Sequence, residues 1–250
     1  MTLQVMLAKT YDPEKHDITG WYAQEKLDGI RAIWTGERLV SRNNKPFYYP
    51  EEFVKKLPKG LQLDGELTLG RGRFQETVSV VRKQYYITSE WEEVQYKVYD
   101  VINDQPYPIR IKLARDVGLK TPLTIKLLSK PQLEGYYETL LDGGAEGVIL
   151  RHPTAGYDSR RSPYLLKYKP LFHDEALVVD YQLGTGKYTN MVGALICDWK
   201  DQLIVIGSGL TDAQRDEPPA VGSTISFCYR GLTDSGQPRH ASFIGERNYE

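Results

Sequence analysis

Cysteine is nearly missing from this 250-residue chain. It has only Cys197 and Cys228, both in apolar, strand-like surroundings. Two thiols so far apart cannot build a disulfide scaffold or a cysteine-rich metal site, and they read as buried small hydrophobes. Histidine is scarce too. His16, His152, His173 and His240 are scattered, with no zinc spacing and no visible Ser/His/Asp set. There is no excess charge, since 32 basic residues meet 33 acidic ones for a net of -1. That balance by itself says nothing about partners, and a grip on a polyanion is expected from local clusters in the first part and not from bulk charge. The basic excess falls in residues 1–171 and the acidic excess in residues 172–250. No apolar run is long enough to span a membrane, and the N-terminus lacks a basic segment followed by a long apolar stretch. No membrane association is expected, and the cytoplasm is the expected compartment.

Strand-like segments are abundant. "GWYAQEKLDGIRAIWTGERLVSR" reads as two or three strands broken by turns at Asp28-Gly29 and Thr35-Gly36. "LQLDGELTLG", "VQYKVYDVI", "EGVILR" and "YLLKYKP" add further strands. Between them, "YPEEFVKKL", "FQETVSVVRK", "PIRIKLARDVGL" and "SKPQLEGYYETLLDGG" carry helical spacing. In the last of these Ser129 is placed to cap, Pro131 suits an early turn and Gly143-Gly144 gives a stop. A boundary is expected near Pro170 to Asp174. Beyond it the chain reads as strand and turn only, with five short strands in about 80 residues, which is the pattern of a small β-barrel. "LGTGKYTNM" resembles a phosphate loop but lacks the Walker spacing and a Ser/Thr after Lys187, so a hairpin turn is expected there.

The chemistry concentrates in charges set inside apolar strands. Lys26, Asp28 and Arg31 interrupt "AQEKLDGIRAIW", Glu66 sits in "LDGELTLG", and Tyr99 ends "YKVYD". Glu146 stands in "GAEGVILR", and Lys167 and Lys169 lie two apart in "LLKYKP", the spacing of one strand face. Each alone reads as a solvated side chain or a turn. Several strands that all carry charge against the cost of burial point to one shared pocket, with cations facing a polyanion and carboxylates facing a metal.

This ordered set resembles the covalent nucleotidyltransferases, namely ATP-dependent DNA ligases, RNA ligases and mRNA capping enzymes. Their lysine-x-aspartate-glycine-x-arginine motif matches Lys26 to Arg31 in full. The stretches "LVSRN", "LDGELTLGRGRF" and "GSTISFCYRGLTDSGQPRHASF" extend the likeness to the minimal two-domain bacterial DNA ligases called ligase E. The resemblance implies an α+β fold. A nucleotidyltransferase (adenylation) domain of antiparallel sheets flanked by helices covers 1–171, and an OB-fold barrel covers 172–250. It implies sealing of 5′-phosphate/3′-hydroxyl nicks in duplex DNA by a monomer, with ATP and Mg2+ as cofactors and Mn2+ as a substitute metal.

The same resemblance assigns roles. Lys26 is the nucleophile, and Asp28 serves the sealing step near the 3′-hydroxyl. Glu25 reads the adenine edge through its backbone, and Tyr99 stacks on adenine. Arg42 and Glu66 contact the ribose, and Arg31 the nucleotide. Glu146 holds the metal, with Glu66 as a second metal carboxylate, and Lys167 and Lys169 bind the α-phosphate. Arg71 and Arg73 in "GRGRF", Arg160 and Arg161 in "DSRRSPY", and Arg239 are the expected DNA contacts. Two positions depart from the family pattern. Asn43 replaces a common glycine, and Gly245 stands where a second arginine is usual in the last motif, beside the retained Arg247. The alternatives are an RNA ligase, a capping guanylyltransferase, or a non-catalytic nucleic-acid-binding relative.

Overall fold

The computed structural model describes residues 4–233 and 235–247, and these fall into two compact units divided between Tyr168 and Lys169. The first contains nine strands: β1 (Leu7–Thr10), β2 (Tyr22–Glu25), β3 (Ile30–Trp34), β4 (Leu39–Ser41), β5 (Leu63–Thr68), β6 (Gln95–Val101), β7 (Thr124–Lys126), β8 (Val148–Arg151) and β9 (Arg161–Tyr168). Its helices are α1 (Glu51–Val54), α2 (Phe74–Val81), α3 (Thr88–Trp91), α4 (Tyr107–Asp116) and α5 (Lys130–Asp142). The second contains β10 (Phe172–Leu183), β11 (Val192–Trp199), β12 (Gln202–Ile206), α6 (Asp212–Asp216), β13 (Thr224–Tyr229) and β14 (Ser242–Glu246).

The strands of the first unit form two sheets, one ordered β1-β9-β8-β2-β7 and the other β4-β3-β5-β6. All pairs are antiparallel except β1 with β9. The chain crosses between the sheets at residues 26–29, where β2 ends and β3 begins. Gly29 fits that crossing because a Cβ there would lie 2.3 Å from the Leu67 carbonyl oxygen. Any side chain would force β3 away from β5. One core, with Ala23, Leu127, Leu133, Val148 and Leu150, packs α5 under the first sheet. Another, with Ala32, Leu63, Leu67, Val98 and Ala114, packs α2 and α4 against the second. Helix α5 begins as the sequence implies, with the Ser129 hydroxyl accepting the Gln132 N–H at 3.3 Å.

In the second unit β10 pairs with both β11 and β13, giving the order β12-β11-β10-β13-β14. A bridge between Ser208 and Ser242, with the Phe243 N–H donating to the Ser208 carbonyl at 2.9 Å, joins the two edges into a barrel. Closure removes the free edges that an open sheet would leave. Val178, Leu195, Ile206, Ile225 and Phe227 fill its interior. Cys197 lies there too, and burial pushes its thiol up to about 11. Both cysteines are free.

Two expectations change. Residues 172–250 are not strand and turn alone, because Thr211 caps the short helix α6 in a capping box. From α6, Arg215 donates to the carbonyls of Val192, Gly193 and Gly207 and so clamps the barrel wall. Lys167 and Lys169 do not share a strand, since β9 stops at Tyr168 and Lys169 opens the second unit. The "GRGRF" arginines are both held by carboxylates, as described below. The "LGTGKYTNM" stretch is the connection between antiparallel β10 and β11, with one 3-10 turn at Gly186–Tyr188, as expected of a hairpin.

Candidate active site

The two sheets of the first unit enclose a cavity of about 240 Å3. Its wall takes Gln24 and Glu25 from β2, Lys26 and Leu27 from the crossing, Arg31 from β3, Glu66 from β5 and Tyr99 from β6. Met6, Ala8, Ile149, Arg151 and Leu165 complete it. Residues scattered over more than a hundred positions converge because β2 and β3 belong to different sheets and the crossing bend lies at the cavity.

Lys26 is fixed at its backbone by an N–H bond to the Gly147 carbonyl, 2.8 Å long, and its ammonium is ion-paired with Glu146. Glu146 therefore joins the site through the segment between α5 and β8. Glu66 faces Arg31 across the β3–β5 ladder. Burial pushes its carboxyl up to about 8, with Asp64 and Glu146 adding to the rise and Lys26 and Arg31 opposing it.

Arg31 makes a bidentate pair with Asp64, Nε to Oδ1 at 2.9 Å and Nη2 to Oδ2 at 2.5 Å, and also donates to the Met6 carbonyl at 2.8 Å. Burial works against its charge, but Asp64, with Tyr99 and Tyr157, outweighs that and holds the guanidinium pKa above its ordinary value. Tyr157 donates its hydroxyl to Asp64 at 2.6 Å. Tyr99 lies beneath two guanidinium groups, with Arg151 at 5.3 Å and Arg31 at 6.0 Å from the ring centroid. Burial raises its hydroxyl pKa well above the ordinary tyrosine value, with Arg31 pulling the other way, so the ring is neutral.

Behind the cavity lies an ionic network absent from the sequence-based expectations. Asp100 accepts from Arg110 at 2.7 and 3.1 Å and from Arg151 at 2.5 Å, and all three are buried. Arg151 also donates to Gln24 at 2.8 Å. Two cations on one carboxylate leave a net positive charge at the cavity wall. Arg151 ends the "EGVILR" stretch, and Asp64 sits two residues before Glu66 on the same strand. The Asp64 signal was present in the sequence, as a charge two residues from Glu66 on one strand, whereas Arg151, five residues from Glu146, carried no such phase.

The remaining expected residues lie elsewhere. Asp28 is in the crossing bend, where its carbonyl accepts from the Thr68 hydroxyl at 2.6 Å. Arg42 is exposed in the Ser41–Lys45 turn and does not line the cavity, nor does Lys167 on β9. Arg71 pairs with Glu25, Arg73 with Glu76 and Glu93, and Arg160 with Asp158. Arg161 donates to the Ala8 carbonyl at 2.8 Å. In the second unit the Arg239 N–H bonds the Gly231 carbonyl, and Arg247 pairs with Glu175.

No group of three or more His, Cys, Asp or Glu able to hold a metal occurs among the described residues. Glu66 and Glu146 nonetheless fit a hard divalent cation, which takes one or two carboxylates and completes its shell with water and substrate phosphates.

A lysine-bearing cavity between two largely antiparallel sheets, followed by a five-stranded closed barrel, defines a nucleotidyltransferase joined to an OB-type domain. Residues 5–169 match the family model for the ATP dependent DNA ligase domain, and residues 183–247 match that for the DNA ligase OB-like domain. The chain is 33% identical to a DNA ligase of Haemophilus influenzae, over 97% of this chain and 92% of that protein. It also resembles a solved Lig E DNA ligase, with a TM-score of 0.89 at 33% identity, covering 97% of this chain and 98% of the other. A Chlorella virus DNA ligase-adenylate shares the fold, with a TM-score of 0.58 at 24% identity and full coverage of both chains. The chain belongs to the ATP-dependent DNA ligase family and is an enzyme of that family. The likeness to ligase E read from the sequence is borne out. No helix among the described residues is long and apolar enough to cross a membrane.

Proposed function

We propose that this enzyme seals 5′-phosphate/3′-hydroxyl nicks in duplex DNA through a covalent lysyl-AMP on Lys26, with residues 1–171 as the adenylation domain and 172–250 as the OB-fold domain. The observation that carries the reading is the placement of Lys26 at the crossing of the two sheets, beside Glu146 and in one wall with Arg31, Glu66 and Tyr99.

In the first step the Lys26 amine forms a bond to the ATP α-phosphorus, pyrophosphate leaves, and the ammonium proton is released. Attack requires the neutral amine, so Lys26 has to leave its ion pair with Glu146 and give up a proton. Arg31, Lys167 and Lys169 are assigned the task of supplying positive charge toward the phosphates. Tyr99 offers a neutral ring face for adenine, the Glu25 backbone its edge, and Arg42 and Glu66 the ribose contacts. Glu146 and Glu66 are the groups that would hold Mg2+, which when bound supplies charge stabilisation at the phosphate oxygens. In the second step an oxygen of the DNA 5′-phosphate attacks the adenylyl phosphorus and the Lys26 N–P bond breaks. In the third, the 3′-hydroxyl attacks the 5′-phosphorus near Asp28 and AMP leaves. These in-line transfers depend on positioning and charge neutralisation.

Intact-protein mass spectrometry tests the assignment. The expected result is a gain of one AMP from ATP, discharged by nicked duplex DNA and absent in Lys26→Ala. Labelling by GTP alone, or retention of AMP by Lys26→Ala, would overturn it. Duplexes with an RNA strand at the nick test the RNA-ligase alternative in the same assay.

A further inference from the structure

Arg71 belongs to the loop between β5 and α2, yet its guanidinium reaches two other segments. Nε and Nη2 donate to the two carboxylate oxygens of Glu25 at 2.7 and 3.0 Å, and Nη1 donates to the Gly143 carbonyl at 2.7 Å. Glu25 lines the cavity and directly precedes Lys26. Gly143 ends α5 and begins the segment that carries Glu146 and Gly147, and the Gly147 carbonyl holds the Lys26 N–H. A Cβ at Gly143 would stand 2.6 Å from Arg71 Nη1, so the glycine leaves room for the guanidinium. A forked guanidinium satisfied on both sides is a far more defined contact than a single surface ion pair.

We propose that Arg71 is a positioning residue for lysine adenylation. It neutralises the Glu25 carboxylate at a cavity that has to admit a polyanion, and it ties the Lys26 bend to the Glu146 segment. The proposal rests on the reading of Lys26 as nucleophile. Without Arg71, the Glu25 carboxylate faces the incoming triphosphate uncompensated, and like charges repel across a partly screened distance. The consequence belongs to ATP binding more than to the chemical step. It also reassigns Arg71 from the DNA contact expected of its loop.

The test is the ATP dependence of AMP attachment to full-length R71A, R71K and R71A/E25Q, followed by intact mass. R71A is expected to raise the half-saturating ATP concentration about tenfold and to lower the maximal rate less than about threefold, the signature of lost ground-state binding. R71K is expected to lie between, because an ammonium keeps the charge but not the fork. Adding E25Q to R71A is expected to recover most of the loss, since the unpaired charge is then gone, and raised salt is expected to shrink the R71A effect. Should R71A melt below the assay temperature, R71K against R71K/E25Q makes the same comparison. Unchanged ATP dependence in R71A, or a double variant no better than the single, overturns the proposal. If that R71A instead binds nicked duplex less tightly with a shallower salt slope, Arg71 is a DNA contact. Wild-type protein that takes up no AMP would overturn the nucleophile reading instead.

Discussion

Glu66 is a carboxylate held where its charge is disfavoured. Burial raises its folded-state value from the ordinary 4.5 to about 8. Between these limits the folded protein binds more protons than the unfolded chain, so this group makes stability fall as pH rises through the window. In metal-free protein, the melting temperature of wild type relative to Glu66→Gln is therefore expected to drop as pH goes from about 5 to 8. A difference independent of pH would show that the carboxylate is not held this way. The same variant is expected to lose adenylation, because the carboxylate proposed to serve ribose and metal is gone. Asp100 presents the opposite case, a carboxylate compensated twice over by Arg110 and Arg151. Asp100→Asn strands two buried guanidinium groups with a neutral amide. It is expected to cost about 3–5 kcal/mol, read as a denaturant midpoint shift at unchanged slope.

The decisive element is the crossing from β2 to β3. There the Lys26 N–H bonds the Gly147 carbonyl just before β8 of one sheet, while the chain runs on into β3 of the other. Gly29 permits this, since β3 starts against the Leu67 carbonyl. Gly29→Ala is expected to displace β3, lower stability by about 2–4 kcal/mol, and slow AMP attachment more than about tenfold while the protein stays folded by circular dichroism. Adenylation at the wild-type rate would show that the bend tolerates a side chain. Helices α2, α4 and α5 were readable from apolar spacing and, for α5, from its cap. Strands β1 and β7 and helix α3 were not among the expected elements.

Across the whole chain, the balanced net charge predicts that DNA affinity comes from a few phosphate contacts and is strongly salt dependent. Ion pairing decides which arginines contribute. Arg73 already serves Glu76 and Glu93, whereas Arg161 bonds a backbone carbonyl. Arg161→Ala is expected to reduce the slope of log affinity against log salt by about one, and Arg73→Ala by much less. Equal effects in a nick-binding titration would overturn this ranking.

The sequence by itself determined the identities of the chemical groups and their order along the chain. Lys26, Glu66, Tyr99 and Glu146 stood out because each reads as a polar group in or beside an apolar, strand-like run, an arrangement costly to bury without a partner or ligand. It also determined the barrel-like tail, through regular short strands. Only the tertiary structure decided which of these groups share a cavity. Lys167 and Lys169 looked equivalent two residues apart, but the strand ends between them. Arg71 read as a DNA contact, and the structure pairs it with Glu25. Asp64, Asp100 and Arg151 acquired importance only through the partners they meet. Alternation along a strand fixes the side of a sheet on which a side chain emerges, and it carries no information about which other strand packs opposite. That depends on long-range burial, which brought "AQEKLDGIRAIW" against β5, β6 and β8 and so turned a charged bend into a site.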